Sequence, residues 1–132
     1  MNISYLIDTD WVISQLHGKL QIQNRLLQLQ PDGLGISIIS MAELYEGIIY
    51  SNDPSGNQKK FEDFLSSVVI FDVNDEICRL FAEHRGFLRK QGLMIGDFDL
   101  LIASTCLYHN LILLTNNRKH FERINGLQII SE

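Results

Sequence analysis

Cysteine and proline are both scarce in this chain, with two of each in 132 residues. Cys78 and Cys106 lie far apart and form no CxxC motif, so neither a disulfide framework nor a redox pair is indicated. Both fall in predicted helices and are expected to be buried free thiols, which suits a reducing cytoplasm. Pro31 and Pro54 stand among turn residues and mark breaks between elements. Basic residues are also few. Eleven Lys and Arg face sixteen Asp and Glu, for a net charge of −5. That balance argues against a generic nucleic-acid coat, which would be basic. It leaves open an enzyme whose carboxylates hold cations, because the cations then supply positive charge locally. Two divalent ions would bring the formal balance from −5 to −1. No apolar run approaches the ~18 residues of a membrane span. The N-terminus has no basic stretch or long apolar core of a secretory signal. A cytoplasmic location without membrane contact is the expectation.

The length suits a single domain over residues 1–132, able to bury roughly two-thirds of its unfolded surface. Strand and helix patterns alternate. Strands are expected at Ser4–Ile7, Leu34–Ser37, Val68–Phe71, Leu111–Leu114 and Leu127–Ile130. Helices are expected at Asp10–His17, Lys19–Gln30, Ser40–Tyr50, Gln58–Ser67, Asn74–Gln91 and Asp97–His109. Gly18 separates the first two helices, Pro31-Asp32-Gly33 stops the second, and Asn52–Gly56 reads as a turn. Asn74 is the candidate N-cap of the long amphipathic helix and Gly92 its C′ residue. The helix Asp97–His109 is nearly all apolar and is expected to be buried. Strands separated by helices predict an α/β fold: three layers, with a mainly parallel central sheet and helices on both faces.

Three acids follow or flank these strands. Asp8 ends the run Tyr5-Leu6-Ile7, where open α/β sheets place their chemistry. It could also cap the first helix, as could Thr9. Glu43 sits in Ser40-Met41-Ala42-Glu43, a capping-box pattern that by itself explains both Ser40 and Glu43. Asp99 opens the helix that begins at Gly96-Asp97-Phe98-Asp99, where the helix dipole favours an acid. Asp97 reads as the N-cap there and Asp99 as N2. Capping explains each acid singly. It does not explain why all three fall at one edge of a parallel sheet. Hard divalent cations want carboxylate oxygens converging from different elements, and phosphodiester hydrolysis uses such cations to activate water. A fourth stretch, Leu113-Leu114-Thr115-Asn116-Asn117, runs from strand into polar residues at the same edge. There Thr115 or Asn117 could orient water or a ligand, or simply form a turn.

Four stretches in order resemble the PIN-domain endoribonucleases, closest to the VapC toxins of type II toxin–antitoxin modules. They are Tyr5-Leu6-Ile7-Asp8-Thr9-Asp10, Ser40-Met41-Ala42-Glu43-Leu44-Tyr45-Glu46-Gly47, the run Ile95 to Ser104, and Thr115-Asn116-Asn117-Arg118-Lys119-His120-Phe121. Together they span nearly the whole chain. The resemblance implies Mg²⁺ or Mn²⁺ held by Asp8, Glu43 and Asp99. It implies in-line attack of metal-activated water on an RNA phosphodiester, of the tRNA or ribosomal RNA class. It also implies a cognate VapB-like antitoxin and a homodimer. The family often has a further acid in the last stretch. Asn117 stands there, as a candidate catalytic residue whose amide is a poorer ligand than a carboxylate. Asp97 is the neighbouring acid that could compensate, although it reads as an N-cap.

Two other readings compete. Asp8-Thr9-Asp10-Trp11-Val12 also fits the DxDx(T/V) pattern of haloacid-dehalogenase-type phosphatases, with Asp8 as nucleophile and Asp10 as general acid. Its downstream acids should end a strand, whereas Asp97 and Asp99 open a helix, and no lysine is convincingly placed. Asp10 then reads as a first-turn helix acid. The third reading is a binding module whose acids are all caps. His84 and His120 have no partner at metal spacing and read as core or surface residues. Arg85, Arg89, Lys90, Arg118, Lys119 and Arg123 could guide RNA phosphates or merely compensate helix dipoles. Trp11, Leu16, Tyr45, Ile48, Ile49 and Tyr50 form a candidate interface for an antitoxin segment or a second subunit, with ordinary core packing as the alternative for most of them.

Overall fold

The computed structural model describes residues 2–132. Five short strands, β1 (Tyr5–Ile7), β2 (Leu34–Ser37), β3 (Val69–Phe71), β4 (Ile112–Leu114) and β5 (Ile129–Ile130), pair in the order β3-β2-β1-β4-β5. Every pairing is parallel, with Leu6 opposite Gly35 on one side and Leu113 on the other. Successive strand residues point to opposite faces, so Leu6 and Leu113 enter one core while Ile7 and Leu114 enter the other. The helices α1 (Thr9–Leu16), α2 (Leu20–Leu29), α3 (Ile38–Ile49) and α4 (Pro54–Leu65) supply the first core through Trp11, Val12, Ile22, Leu26, Leu44, Ile48 and Phe61. Helices α5 (Asp75–Lys90) and α6 (Asp97–His109), with the short α7 (Arg118–Phe121), supply the second through Leu88, Leu100, Ile102, Ala103, Cys106 and Phe121. The three-layer α/β expectation is met, with a sheet that is parallel throughout.

The element ends follow local chemistry. Asn74 caps α5, its side chain accepting from Ile77 N at 2.8 Å. Gly92 follows α5 with φ +70, a conformation costly for any side chain-bearing residue. A 3-10 turn, Gln30–Asp32, ends α2 at the expected proline. The following Gly33 has φ +91, and a Cβ there would lie 2.4 Å from Asn2 O.

Four expectations are corrected. Helix α4 begins at Pro54, not Gln58, because Asp53 caps it through Gly56 N and proline suits the first helical position. Helix α3 begins at Ile38, because Ser37 is its N-cap and accepts from Ile39 N at 3.0 Å. Ser40 is therefore inside the helix, and its predicted capping box with Glu43 does not form. In α6 the N-cap is Gly96. Asp97 instead pairs with Arg85, whose other nitrogen donates to Ile95 O. Finally, Cys106 is buried but Cys78 is exposed on α5, since its position falls off the apolar face led by Ile77 and Leu88.

Candidate active site

The carboxyl ends of β1, β2 and β4 lie at one edge of the sheet, and β1 is where the strand order reverses direction. From β1 the chain runs outward to β2 and β3, then returns to β4 on the opposite side. Parallel α/β sheets open a crevice at such a switch point. Asp8 stands in it, directly after β1, with its backbone N donating to Leu114 O at 2.9 Å. It is also the N-cap of α1, and its Oδ1 accepts from Thr9 N. Its other oxygen, Oδ2, accepts the Thr115 hydroxyl at 2.7 Å.

Thr115 is fully buried and uses both sides of its hydroxyl, since its oxygen also accepts from Asn117 N at 3.0 Å. Asp10 reaches the same corner. Its Oδ2 accepts from Asn116 N at 3.0 Å, while its Oδ1 is buried without a hydrogen-bond partner. Asp10 is thus the expected first-turn acid of α1 and also a member of this cluster. Sequence position alone hid this, because neighbours two apart do not normally share a helix face. The extended backbone of Asp8 (φ −70, ψ 159) changes that geometry.

Glu43 approaches from α3. Thr9 Oγ1 lies 2.7 Å from Glu43 Oε1 and 3.0 Å from Ser40 Oγ. A threonine has one hydroxyl proton and a carboxylate has none to give. Thr9 therefore donates to Glu43 and accepts from Ser40, tying α1 to α3 through the acid. Asp99, in the first turn of α6, shares a cavity of about 290 Å³ with Glu43, Gly96, Asp97 and Phe98. The ring of His120 stands beside it, with Nδ1 3.4 Å from Asp99 Oδ2 and 3.0 Å from Asn117 Nδ2. An amide nitrogen can only donate, so Nδ1 takes the Asn117 hydrogen bond and merely neighbours Asp99.

The structure thus gathers Asp8, Asp10 and Thr115 tightly, brings Glu43 in through Thr9, and sets Asp99 and Asn117 both beside Nδ1 of His120. His120 was expected to be a core or surface residue. Its approach to Asp99 depends on α7, a four-residue helix that carries no sequence signal of its own. Ser40 was likewise hidden by its capping pattern with Glu43, and Thr9 by its reading as a cap of the first helix.

Electrostatics set Asp8 apart. Burial pushes its carboxyl up to about 7 from 3.8, and the Asp10 and Asp99 charges add to the effect against the opposing Thr115 and Thr9 hydrogen bonds. Burial also raises Asp10, opposed by the Asn116 backbone hydrogen bond. Among the described residues no Lys or Arg forms an ion pair with Asp8, Asp10, Glu43 or Asp99. A buried acid and a partly buried one side by side without a cation, the second with an unpartnered oxygen, have the donor chemistry that hard divalent ions require. Among the described residues, no group of three or more His, Cys, Asp or Glu side chains is placed to hold a metal ion as the side chains stand. The acids converge on the crevice without yet meeting at one point.

The cations of the neighbourhood are partly spent. Arg85 is held by Asp97, Arg118 by Glu122 and Ser131, and Arg123 by Met94 O. Arg89, Lys90 and Lys119 are exposed. The expected interface also divides. Trp11 and Ile48 are core residues, while Ile49 and Tyr50 are exposed at 61% and 85%. Beside them a cavity of about 260 Å³ runs between α1, α3 and α4, lined by Ile13, Leu16, Leu44 and Ile48 and reaching Glu43.

Residues 5–127 match the family model described as PIN domain. The chain belongs to the PIN-domain family. This PIN domain is 36% identical over 125 residues to "Ribonuclease VapC2" of Rickettsia felis, covering 93% of each chain. It is 29% identical over 126 residues to the "tRNA(fMet)-specific endonuclease VapC" of Shigella flexneri, covering 96% of each. Its fold superposes on the structure of VapBC2 from Rickettsia felis bound to a promoter DNA fragment, with a TM-score of 0.93 and 33% identity over 98% of this chain and 99% of that one. Within the family it is therefore a VapC-type ribonuclease. The phosphatase reading gives way to this membership. The all-caps reading loses Glu43 and Asp97, neither of which caps a helix.

Proposed function

We propose that this VapC-type protein is the toxin of a toxin–antitoxin pair and cleaves RNA, of the tRNA class, with the help of Mg²⁺ or Mn²⁺. The observation that carries the reading is Asp8: a 4%-exposed carboxyl at the sheet's switch point, raised chiefly by its burial and, among the described residues, paired with no Lys or Arg. Asp8, Glu43 and Asp99 would hold the ion. Bound there, a divalent ion supplies charge for the scissile phosphate and lowers the pKa of attacking water. The chain's own groups do the positioning. Thr115 fixes Asp8, Thr9 fixes Glu43, and His120 holds Asn117 beside Asp99, where the amide can orient water or the phosphate. The tRNA class is supported by the name of the Shigella flexneri relative. Exposed Arg89, Lys90 and Lys119 are available to meet RNA phosphates outside the acidic crevice.

The partner is a VapB-like antitoxin, supported by the VapBC assembly of the structural neighbour. The apolar cavity between α1, α3 and α4 opens beside Glu43. A segment seated there would block the crevice from one side. Exposed Ile49 and Tyr50 extend that surface toward the antitoxin or a second copy of the chain. No helix among the described residues is long and apolar enough to cross a membrane, and the toxin acts in the cytoplasm, where its RNA is.

The test is cleavage of purified tRNA by the protein freed of its antitoxin. Chelation should stop cleavage, and Mg²⁺ or Mn²⁺ should restore it. Asp8→Asn and Asp99→Asn should each abolish cleavage and growth arrest on induction. Cleavage that survives excess chelator, or toxicity retained in both variants, would overturn the proposal.

A further inference from the structure

Position 10 carries an acid although its visible contacts do not need one. The hydrogen bond from Asn116 N to the Asp10 Oδ2 at 3.0 Å, and the longer approach of Thr115 Oγ1 to the same atom at 3.5 Å, would be accepted equally well by the amide oxygen of an asparagine. The negative charge and the second oxygen are therefore unexplained by clamping. That second oxygen, Oδ1, is buried and receives no hydrogen bond. Leaving a buried acceptor unsatisfied is costly, and more so for a charged group. Its acidic neighbour, Asp8, stands in the same corner and feels its charge. No Lys or Arg among the described residues pairs with either acid. Asn117, at the same sheet edge, is neutral and has its amide nitrogen turned to His120.

The geometry points to Asp10 as a further cation-binding residue of this site, offering its free Oδ1 to the divalent ion that Asp8 holds. The inference rests on the cation reading of the preceding subsection. It adds a residue from α1 that enters through the turn at Asp8 rather than from another strand end. Hard ions such as Mg²⁺ and Mn²⁺ favour an oxygen of this kind. The Asn116 hydrogen bond holds the carboxylate in place, so little ordering of that side chain remains to be done on binding.

Mn²⁺ titration followed by the electron paramagnetic resonance signal of the free ion tests this without recourse to RNA cleavage. The wild-type chain is compared with Asp10→Asn, Asp8→Asn and Asp97→Asn. Asp97→Asn removes one charge from the rim, where Asp97 is paired with Arg85. Asp10→Asn should weaken Mn²⁺ binding at least tenfold with thermal stability retained, and Asp97→Asn should change it less than threefold. Asp10→Ser repeats the measurement if Asp10→Asn does not fold. Mn²⁺ binding by Asp10→Asn within twofold of wild type, with Asp8→Asn impaired, overturns the role of Asp10 alone. Equal weakening by Asp97→Asn reduces it to general charge and also overturns it. Absence of Mn²⁺ binding by the wild-type chain overturns both this inference and the cation reading beneath it.

Discussion

Thr115 and Asp8 are 107 residues apart in sequence, yet the buried threonine hydroxyl donates to the carboxylate at 2.7 Å. This contact joins the ends of β4 and β1 at the switch point and passes the restraint on to Asn117 N. Thr115→Val keeps the shape and removes the donor. Leaving a buried carboxylate oxygen unpaired costs about 1–3 kcal/mol, so the melting temperature should fall by roughly 3–10 °C. Cleavage should fall at least tenfold, and Thr115→Ser should recover most of both losses. A melt and an RNA cleavage assay on the two variants check this.

Asp8 also predicts how stability depends on pH. Burial raises its folded-state pKa to about 7 from 3.8, so the folded chain binds this proton more tightly than the unfolded chain. The stabilisation from that proton is full below the unfolded value and is lost as pH rises through about 7. In metal-free buffer, wild type should therefore lose stability relative to Asp8→Asn by about 2 kcal/mol between pH 5 and pH 8. Denaturant melts of both proteins at the two pH values measure it. A difference that stays constant, or grows with pH, contradicts the burial account.

Thr9 is predicted to act through Glu43. Its hydroxyl donates to that acid and receives the Ser40 proton, so Thr9→Val should leave Glu43 free to swing into the crevice mouth. The pair is only partly buried, and the stability loss should stay near 1 kcal/mol. Cleavage should fall about tenfold by loss of positioning, and Thr9→Ser should restore it. A fall in stability matched by full activity would assign Thr9 a structural role only.

The fold and the acids differ in how far sequence carries. Strand order and layers follow from alternating patterns, because parallel strands buried on both faces read as short apolar runs. The caps at Asn74 and Gly92 are local and legible for the same reason. The Ser40–Glu43 capping box fails because Ser37 and Ser40 both precede Glu43 with capping chemistry. Only the strand end at Ser37 decides which serine starts the helix. His120 and Asp10 were out of reach for another reason. Each enters the site through a turn whose backbone direction no periodicity encodes. One turn is the extended backbone at Asp8, and the other is the bend from Asn116 into α7. For Trp11 the sequence leaves core and interface open, and the contact with Asn116 beyond the end of β4 decides for the core.

Trp11 is fully buried, and its indole Nε1 donates to Asn116 Oδ1 at 3.0 Å, an oxygen that also accepts from Glu132 N at 2.9 Å. Asn116 is one residue from Thr115, and its backbone N holds Asp10. The chain's one tryptophan is thus wired to the acidic corner through a single side chain. Asn116→Leu leaves the indole N–H unpaired, at a cost of about 1–3 kcal/mol. Trp11 fluorescence should respond to divalent cation in the wild-type protein, because an ion at Asp8 draws on the segment that carries Asn116. In Asn116→Leu the response should shrink while the ion still binds, since Asp8, Glu43 and Asp99 are untouched. An unchanged fluorescence response in that variant would show that the signal reaches Trp11 by another route.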